Sequence, residues 1–479
     1  MERQATVVLD VGKTLTKLSL WTPDGRLLAH CNRPNERIET GMYVGLDAAG
    51  IEGFLADSLR NFAPLADIEA IIPVGHGAAA ALVDDNGLVL PPLDYEQPIP
   101  STVRQEYDEQ RDPFALTGSP ALPDGLNLGA QLFFLDSLRS DLFSGKRRVV
   151  PWAQYWSWIL SGVAASEVTS LGCHTDLWRP LARVPSQLAV TRGWAEYLPP
   201  LHPAGSVLGT LRSSWATRTG LSSKVRVHCG LHDSNAALVA ARASGEIGNQ
   251  EATVLSTGTW FVAMRTPAHG IQAALADLDE KRDCLVNVDV HGNPVPSVRF
   301  MGGREIELLT GLDTRRIDVL PDQPALLASV SHVLANKAMV LPSLTPGCGP
   351  FPHSRGRWIC MPGDETQRRA AVALYAALVA DVALDLIGAR ERLLIEGRFS
   401  ESQVFVRALA RLRPDMRVYV CHPRSDVAFG ALYLTDPGRQ SPSALVQIEP
   451  LAQDLSEYRA QWRREADRME HSSVGRTVE

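Results

Sequence analysis

Residues Val225–Ala241 read VRVHCGLHDSNAALVAA, and the rest of the chain is organised around them. β-Favouring residues run into Gly230. Leu231, His232 and Asp233 then stand directly before a helical pattern with apolar positions at Ala237, Leu238 and Ala241. The order strand, glycine turn, helix start puts Asp233 at a helix N-terminus, where backbone N–H groups and the helix dipole favour a carboxylate. A plain N-cap aspartate satisfies the same pattern. The choice between a cap and a working carboxylate therefore rests on the other stretches.

The chain has 479 residues, enough for two or three domains. Hydrophobic residues make up 45% and charged residues 21%, an ordinary globular balance with sizeable cores. A net charge of −7 argues against sequence-independent binding to nucleic acid. No run of about eighteen or more apolar residues is free of charges and breakers, so no membrane span is expected. A strand-like run starts at Ala5 with no basic-then-apolar leader before it, so no secretory signal is expected. The seven cysteines are scattered and contain no Cys-x-x-Cys pair, which suggests reduced thiols and a cytoplasmic protein.

Thr6–Trp21, TVVLDVGKTLTKLSLW, gives two apolar strands around the loop Gly12–Thr16, and Pro23-Asp24-Gly25 turns the chain into a third strand, Arg26–His30. Gly12 lets backbone approach a ligand closely, and Lys13, Thr14, Thr16 and Lys17 supply donors around it. Such a loop suits phosphate, although a solvated hairpin has the same pattern. Asp10 closes the first strand. Its carboxylate needs a partner, either a hydrated Mg²⁺ or a salt bridge to Lys13 or Lys17. Ala252–Arg265, ATVLSTGTWFVAMR, repeats the design with Ser256-Thr257-Gly258-Thr259 as its loop. Two such hairpins, one in each half, would close on one polyphosphate from two sides. The domain boundary is placed between them, near Ala243–Gly248.

Elsewhere, helical spacing covers Val44–Phe62, and the strand Ile68–Val74 ends in Gly75-His76-Gly77, a good position for a ligand contact at a sheet's carboxyl edge. Pro91–Pro123 reads as a long surface excursion. Trp152–Leu160 is an aromatic helix of core type. His174 with Cys173, and His228 with Cys229 and His232, lack the spacing of a zinc site. Gln367–Ile387, Ser402–Leu412, Asp426–Leu434 and Leu451–Met469 are helices, and Leu393–Gly397 and Arg417–Cys421 are strands. Gly430, inside a helix, permits close approach of another backbone or of a flat ligand.

Taken in order, the first hairpin with Asp10 and Gly12, the Gly-Leu-His-Asp stretch, Ser-Thr-Gly-Thr-Trp, and the closing strand with the Gly430 helix resemble the FGGY carbohydrate kinases, and within them the rhamnulokinase-like group. The likeness runs from about Ala5 to about Leu434. It implies an α/β fold of two ribonuclease H-like domains, as in actin, hexokinase and the heat-shock chaperones, each with a five-stranded mixed sheet and with the active-site cleft between them. The N-terminal domain would be 1–245, the C-terminal nucleotide-binding domain 246–440, and a helical tail 441–479. The resemblance makes Asp233 the catalytic base and places Gly77, His76, His232 and Asp176 with the sugar. Gly12, Lys13, Thr14, Thr16 and Lys17 form the first phosphate loop, Gly258 and Thr259 the second, Gly397 the adenosine loop, and Asp10 the carboxylate near Mg²⁺. Three departures stand out. The adenosine loop reads Glu396-Gly397-Arg398-Phe399 where the family has consecutive glycines, Phe300 stands near the position where rhamnulokinases have an asparagine, and His76 stands where they have an aromatic residue.

The implied reaction moves the γ-phosphoryl group of Mg-ATP to a hydroxyl of a small carbohydrate, a ketose such as L-rhamnulose or L-fuculose. It demands in-line placement, charge neutralisation and a carboxylate to take the hydroxyl proton. The expected partners are the sugar and ATP, with a homodimer allowed and neither nucleic acid nor membrane involved. Two rivals keep the fold: a non-catalytic nucleotide and sugar sensor, and a protein-binding ATPase.

Overall fold

The computed structural model describes residues 4–268, 275–313, 322–421, 427–439 and 444–474. It divides into two compact units. The first is Met1–Ala243 with Val286–Pro294 and Ser425–Pro442, and the second is Ser244–Leu285 with Val295–Arg424 and Ser443–Glu479.

In the first unit, β1 (Gln4–Val11), β2 (Leu15–Trp21) and β3 (Leu27–Pro34) form the antiparallel meander that the turn residues predict. β4 (Asp67–Gly75) lies parallel to β1 on its other side. β5 (Val207–Thr210) and β6 (Arg226–His228) extend the sheet to the order β5-β6-β4-β1-β2-β3, with β6 parallel to β4 and β5 antiparallel to β6. The short β7 (Leu231–His232) continues β6 and pairs with the last residues of β4. β1, between antiparallel β2 and parallel β4, buries residues on both faces. Val7, Leu9 and Val11 pack on one face with Leu55 and Leu59 of the helix Ala48–Phe62, while Val8 faces Ile72, Leu231, Ala236 and Leu432 on the other.

The second unit repeats this plan. β8 (Ala252–Thr257), β9 (Phe261–Thr266) and β10 (Pro294–Phe300) are antiparallel, β11 (Arg392–Gly397) lies parallel to β8, β12 (Arg417–Cys421) parallel to β11, and β13 (Leu445–Gln447) antiparallel to β12. The order β10-β9-β8-β11-β12-β13 matches β3-β2-β1-β4-β6-β5 strand for strand in direction. The implied five-strand plan is present in each unit, and each sheet has seven strands in all. The edge strand precedes its neighbour in sequence in one unit and follows it in the other.

The helix Glu365–Leu386 starts where Asp364 accepts the N–H of Gln367 at 2.8 Å and buries a continuous run from Ala370 to Leu384. The helix Ser456–Val474 starts five residues later than its apolar spacing suggests. Trp462 is fully buried and donates its indole N–H to the Val340 carbonyl at 2.6 Å, so this segment packs into the second unit's core. The helix Val427–Thr435 packs within the first unit, although its place in sequence puts it in the C-terminal half. Asp426, the expected boundary at 440 and the last five residues, 475–479, lie outside the described residues.

One reading is corrected. Pro91–Pro123 is not a surface excursion, because it carries the helices Ser101–Gln110 and Phe114–Thr117 and buries Tyr107. Pro100 and Pro113 stand directly before these helices. There proline starts a helix instead of breaking one, because its fixed φ is already helical and its missing N–H has no intrahelical acceptor.

Candidate active site

In the first unit the carboxyl ends of three strands meet at one level. Val11 of β1 pairs with Gly75 of β4, and Gly75 pairs with His232 of β7. Gly230, at φ +79°, makes the turn into β7, and a Cβ there would stand 2.2 Å from the Pro73 carbonyl oxygen. Only glycine allows the chain to hug β4 and deliver Asp233 to the sheet's edge. Asp233 is the first residue of the helix Asp233–Arg242, and His232 occupies the N-cap position instead of it. Its Oδ1 accepts from the Ser234 N–H at 2.6 Å and lies 3.2 Å from His232 Nε2. The side chain stays 30% exposed, yet burial pushes its pKa up to about 6, against the opposing pull of the Ser234 N–H and the Lys17 ammonium. An aspartate held near neutrality at the mouth of a sheet is suited to exchanging a proton.

His232 stands beside Asp233 and against Gly77, and His76 lies near His232 and His174. A Cβ on Gly77 would meet Cys173 Sγ at 2.6 Å and His232 Nε2 at 2.9 Å, so glycine keeps this wall clear. His232 is buried, and burial lowers its pKa to about 4. His76 sits edge-on to Tyr95, with ring centroids 5.8 Å apart, and has two ring nitrogens that are buried without a hydrogen-bond partner. Burial, helped by Lys13, lowers its pKa to about 3. His174 Nδ1 lies 2.8 Å from the Leu126 carbonyl oxygen.

The first hairpin is more occupied than its sequence suggests. Lys13 is paired with Asp94 and lies 4.4 Å from the centroid of the Tyr95 ring. Thr16 is fully buried and donates its hydroxyl proton to Asn35 Oδ1 at 2.7 Å, while Asn35 Nδ2 donates to the Gly12 carbonyl at 2.8 Å. Lys13 and Thr16 therefore brace the loop, while Thr14 and Lys17 are exposed. Asp10 forms the salt bridge to Lys17 at 3.2 Å.

Asp176 is placed with partners other than the expected sugar. Its carboxylate is fully buried and receives two Arg111 bonds at 3.0 Å and a bond from the Tyr107 hydroxyl. It ties the helix Ser101–Gln110 to the segment after Cys173. Asp176→Ala, which removes the buried carboxylate facing the 9%-exposed Arg111, is expected to cost about 3–5 kcal/mol, read from the denaturation midpoint. An unchanged midpoint would reopen a ligand role for Asp176.

In the second unit, the Thr257 hydroxyl donates to the Glu396 carbonyl at 2.5 Å and accepts from the Phe399 N–H at 3.1 Å, locking the β8 end to the segment after β11. Gly397, at φ +84°, leaves a Cβ only 2.3 Å from the Thr257 oxygen. Thr259 is exposed at the hairpin tip. The helix Gly302–Thr310 begins directly against this tip, since a Cβ on Gly303 would lie 2.0 Å from the Gly258 oxygen. An apolar pocket beside Phe399 is lined by Ile306, Thr310, Val372, Ala376 and Phe405. Glu396 is buried at the end of β11, and burial raises its pKa to about 7.

The sequence reading gave no role to Asn35, Asp94 or the Glu396 carboxylate. Asn35 and Asp94 carry no local signal, because their partners lie across other loops. Glu396 had one: a carboxylate at the end of an apolar strand, the same sign that singled out Asp10.

Among the described residues no three His, Cys, Asp or Glu side chains gather as a metal-ligand set, and no helix is long and apolar enough to cross a membrane. The donors at the first hairpin are one carboxylate, hydroxyls and backbone. That set fits a hydrated Mg²⁺ carried on a polyphosphate better than a resident ion.

Two ribonuclease H-like sheets with glycine hairpins at equivalent strand ends define the fold class of actin and hexokinase. A carbohydrate kinase from Novosphingobium aromaticivorans is 55% identical over 98% of this chain and 99% of its own, with a TM-score of 0.93. Residues 249–443 match the family described as carbohydrate kinase FGGY, C-terminal domain. The chain belongs to the FGGY carbohydrate kinase family, whose sugar kinases use ATP. The fold is shared with a xylulose kinase from Rhodospirillum rubrum, 18% identical over 98% of both chains with a TM-score of 0.78, and with a gluconate kinase from Lactobacillus acidophilus, 14% identical over 98% of this chain and 99% of its own with a TM-score of 0.79. No curated protein sequence matches significantly.

Proposed function

We propose that this carbohydrate kinase transfers the γ-phosphoryl group of Mg-ATP to a hydroxyl of a small ketose, with Asp233 accepting the hydroxyl proton. The observation that carries the reading is Asp233 itself: partly open, at a helix start, with its pKa raised to about 6. Phosphoryl transfer needs positioning and charge stabilisation more than covalent help. Bound Mg²⁺ would supply charge neutralisation on the transferring group, with Asp10 as its carboxylate. Gly12, Thr14 and Lys17 face the phosphates on the first unit. On the second, Gly258, Thr259 and Gly397 shape the turn that takes the nucleotide, and the apolar pocket beside Phe399 takes its base.

The acceptor is neutral and rich in hydroxyls. His76 stays uncharged at physiological pH, so its two ring nitrogens present one donor and one acceptor. A neutral ring can bond a hydroxyl through either nitrogen and does not call for an anion. Gly77 and His232 complete the wall, and L-rhamnulose and L-fuculose are the first candidates.

The test couples ADP release to a panel of L-rhamnulose, L-fuculose, D-xylulose, D-gluconate and glycerol, alongside thermal shifts with and without Mg-ATP. ADP release that depends on a ketose is expected. Equal ADP release without sugar would make the protein an ATPase, and stabilisation by sugar with no ADP would make it a sensor.

A further inference from the structure

We propose that Glu167 is a positioning residue that sets the Asp233 carboxylate through the hydroxyl of Thr169, an inference that rests on Asp233 being the proton acceptor. Glu167 stands directly before the four-residue helix Val168–Leu171 and is 1% exposed. Its Oε2 accepts from the Thr169 N–H at 3.0 Å, the Thr169 hydroxyl at 2.5 Å, the Ser170 N–H at 3.1 Å and the Ser170 hydroxyl at 3.4 Å. A threonine hydroxyl has one proton to give and lone pairs to receive with. Because that proton goes to Glu167, the Thr169 oxygen turns its lone pairs outward and accepts the His232 N–H at 3.1 Å. His232 is the residue before Asp233 and lies at the shared edge of β4 and β7. The carboxylate thus fixes a hydroxyl, the hydroxyl fixes a backbone amide, and the amide fixes the turn from which Asp233 projects.

A second arm leaves the same helix. The Cys173 thiol donates to the Ser170 carbonyl at 3.3 Å and lies 3.5 Å from the Gly77 carbonyl oxygen. Both arms end on the flanks of Asp233, at His232 and at Gly77.

Capping alone does not explain a glutamate here. A serine or asparagine would satisfy the same two N–H groups without burying a carboxyl. Glu167 Oε1 is buried with no hydrogen-bond partner, and burial raises the group's pKa to about 7. Desolvating an acid is costly. A serine hydroxyl oxygen has two lone pairs for the two N–H groups, whereas the Glu167 oxygen takes the Thr169 hydroxyl proton as well, which is what orients Thr169.

The test uses the full chain in five forms: Thr169→Val, Thr169→Ser, Glu167→Ala, Glu167→Gln and the double variant Glu167→Ala with Thr169→Val. Two readouts need no acceptor. One is the Asp233 carboxyl titration by ¹³C NMR on aspartate-labelled protein, assigned by comparison with Asp233→Asn. The other is hydrogen exchange of the peptide covering residues 229–236. Thr169→Val and Glu167→Ala are expected to speed exchange at His232 and to move the Asp233 titration towards the ordinary carboxylate range, as solvent enters the loosened turn. Thr169→Ser and Glu167→Gln, which keep the bonding atoms, are expected to behave as the parent. The double variant should be no worse than either single one, because both break the same chain. On any panel sugar that turns over, kcat should fall on the order of 10²-fold in Thr169→Val with the nucleotide KM unchanged. If Glu167→Ala does not fold, Thr169→Val, which removes one hydroxyl, carries the result. A Thr169→Val protein with parental titration and exchange overturns the proposal. Asp233→Asn retaining phosphorylation would instead sink the functional reading and leave the Thr169→Val titration as informative as before.

Discussion

Asp233→Asn is expected to fold as the parent does and to lose kcat on the order of 10²–10⁴-fold, the usual worth of a positioned general base. The amide keeps the shape of the side chain and can still accept the Ser234 N–H that Oδ1 receives at 2.6 Å. It cannot take a proton from an attacking hydroxyl. The sign of the pH dependence follows from the raised pKa of about 6. Above it the carboxylate dominates and can act as a base. Below it the acid form accumulates, and kcat/KM is expected to fall about tenfold per pH unit. His232, lowered to about 4, and His76, lowered to about 3, are neutral across this window and add no limb of their own. An activity profile flat down to about pH 5 would remove Asp233 from the proton transfer. Stability should move the other way. A carboxyl whose folded pKa lies above its unfolded value destabilises the fold once ionised, so Asn at this position is expected to match or exceed the parent's melting temperature above pH 6.

Gly430→Val is expected to abolish the soluble fold. The helix Val427–Thr435 crosses the helix Asp233–Arg242 backbone against backbone. A Cβ on Gly430 would stand 1.8 Å from the Ala236 carbonyl oxygen and 3.1 Å from the Ala240 nitrogen. Ordinary overpacking of a core costs about 1–3 kcal/mol because flexible side chains give way. Here the obstacle is the main chain of the facing helix, which cannot give way, so the helices must separate. Separation would expose Ala236, Ala431 and Leu432, which close one face of the first sheet with Val8 and Ile72. It would also move the helix that carries Asp233. Gly430→Ala should already lower the denaturation midpoint and the activity together. A midpoint equal to the parent's in that variant would show that the close crossing does not exist.

Gly430 illustrates the reach of sequence reading. Its presence inside a helix announces a close approach, yet backbone and flat ligand satisfy the same signal equally. Ala236 lies far away in sequence, and only the packed helix pair shows that main chain fills the space. Asp10 is a similar case. Its strand-end carboxylate needs a partner, and the cross-strand register puts Lys17 opposite it, which makes the salt bridge one of two uses the residue can serve.

What the sequence by itself determined is local and periodic. The alternation in Thr6–Trp21 and Ala252–Arg265, the glycine turns and the helical spacing after Asp233 describe two hairpins and one strand–turn–helix, because strand pleat and helix pitch are set within a few residues. Their order along the chain then carried the family. What only the tertiary structure decided is which polar group meets which. Lys13 pairs with Asp94 from a distant loop, Tyr107 and Arg111 claim Asp176, and Thr169 reaches His232. Burying a charge or a hydroxyl obliges it to find a partner, but that partner is chosen by the loops and strands the fold brings together, and no periodicity records the choice.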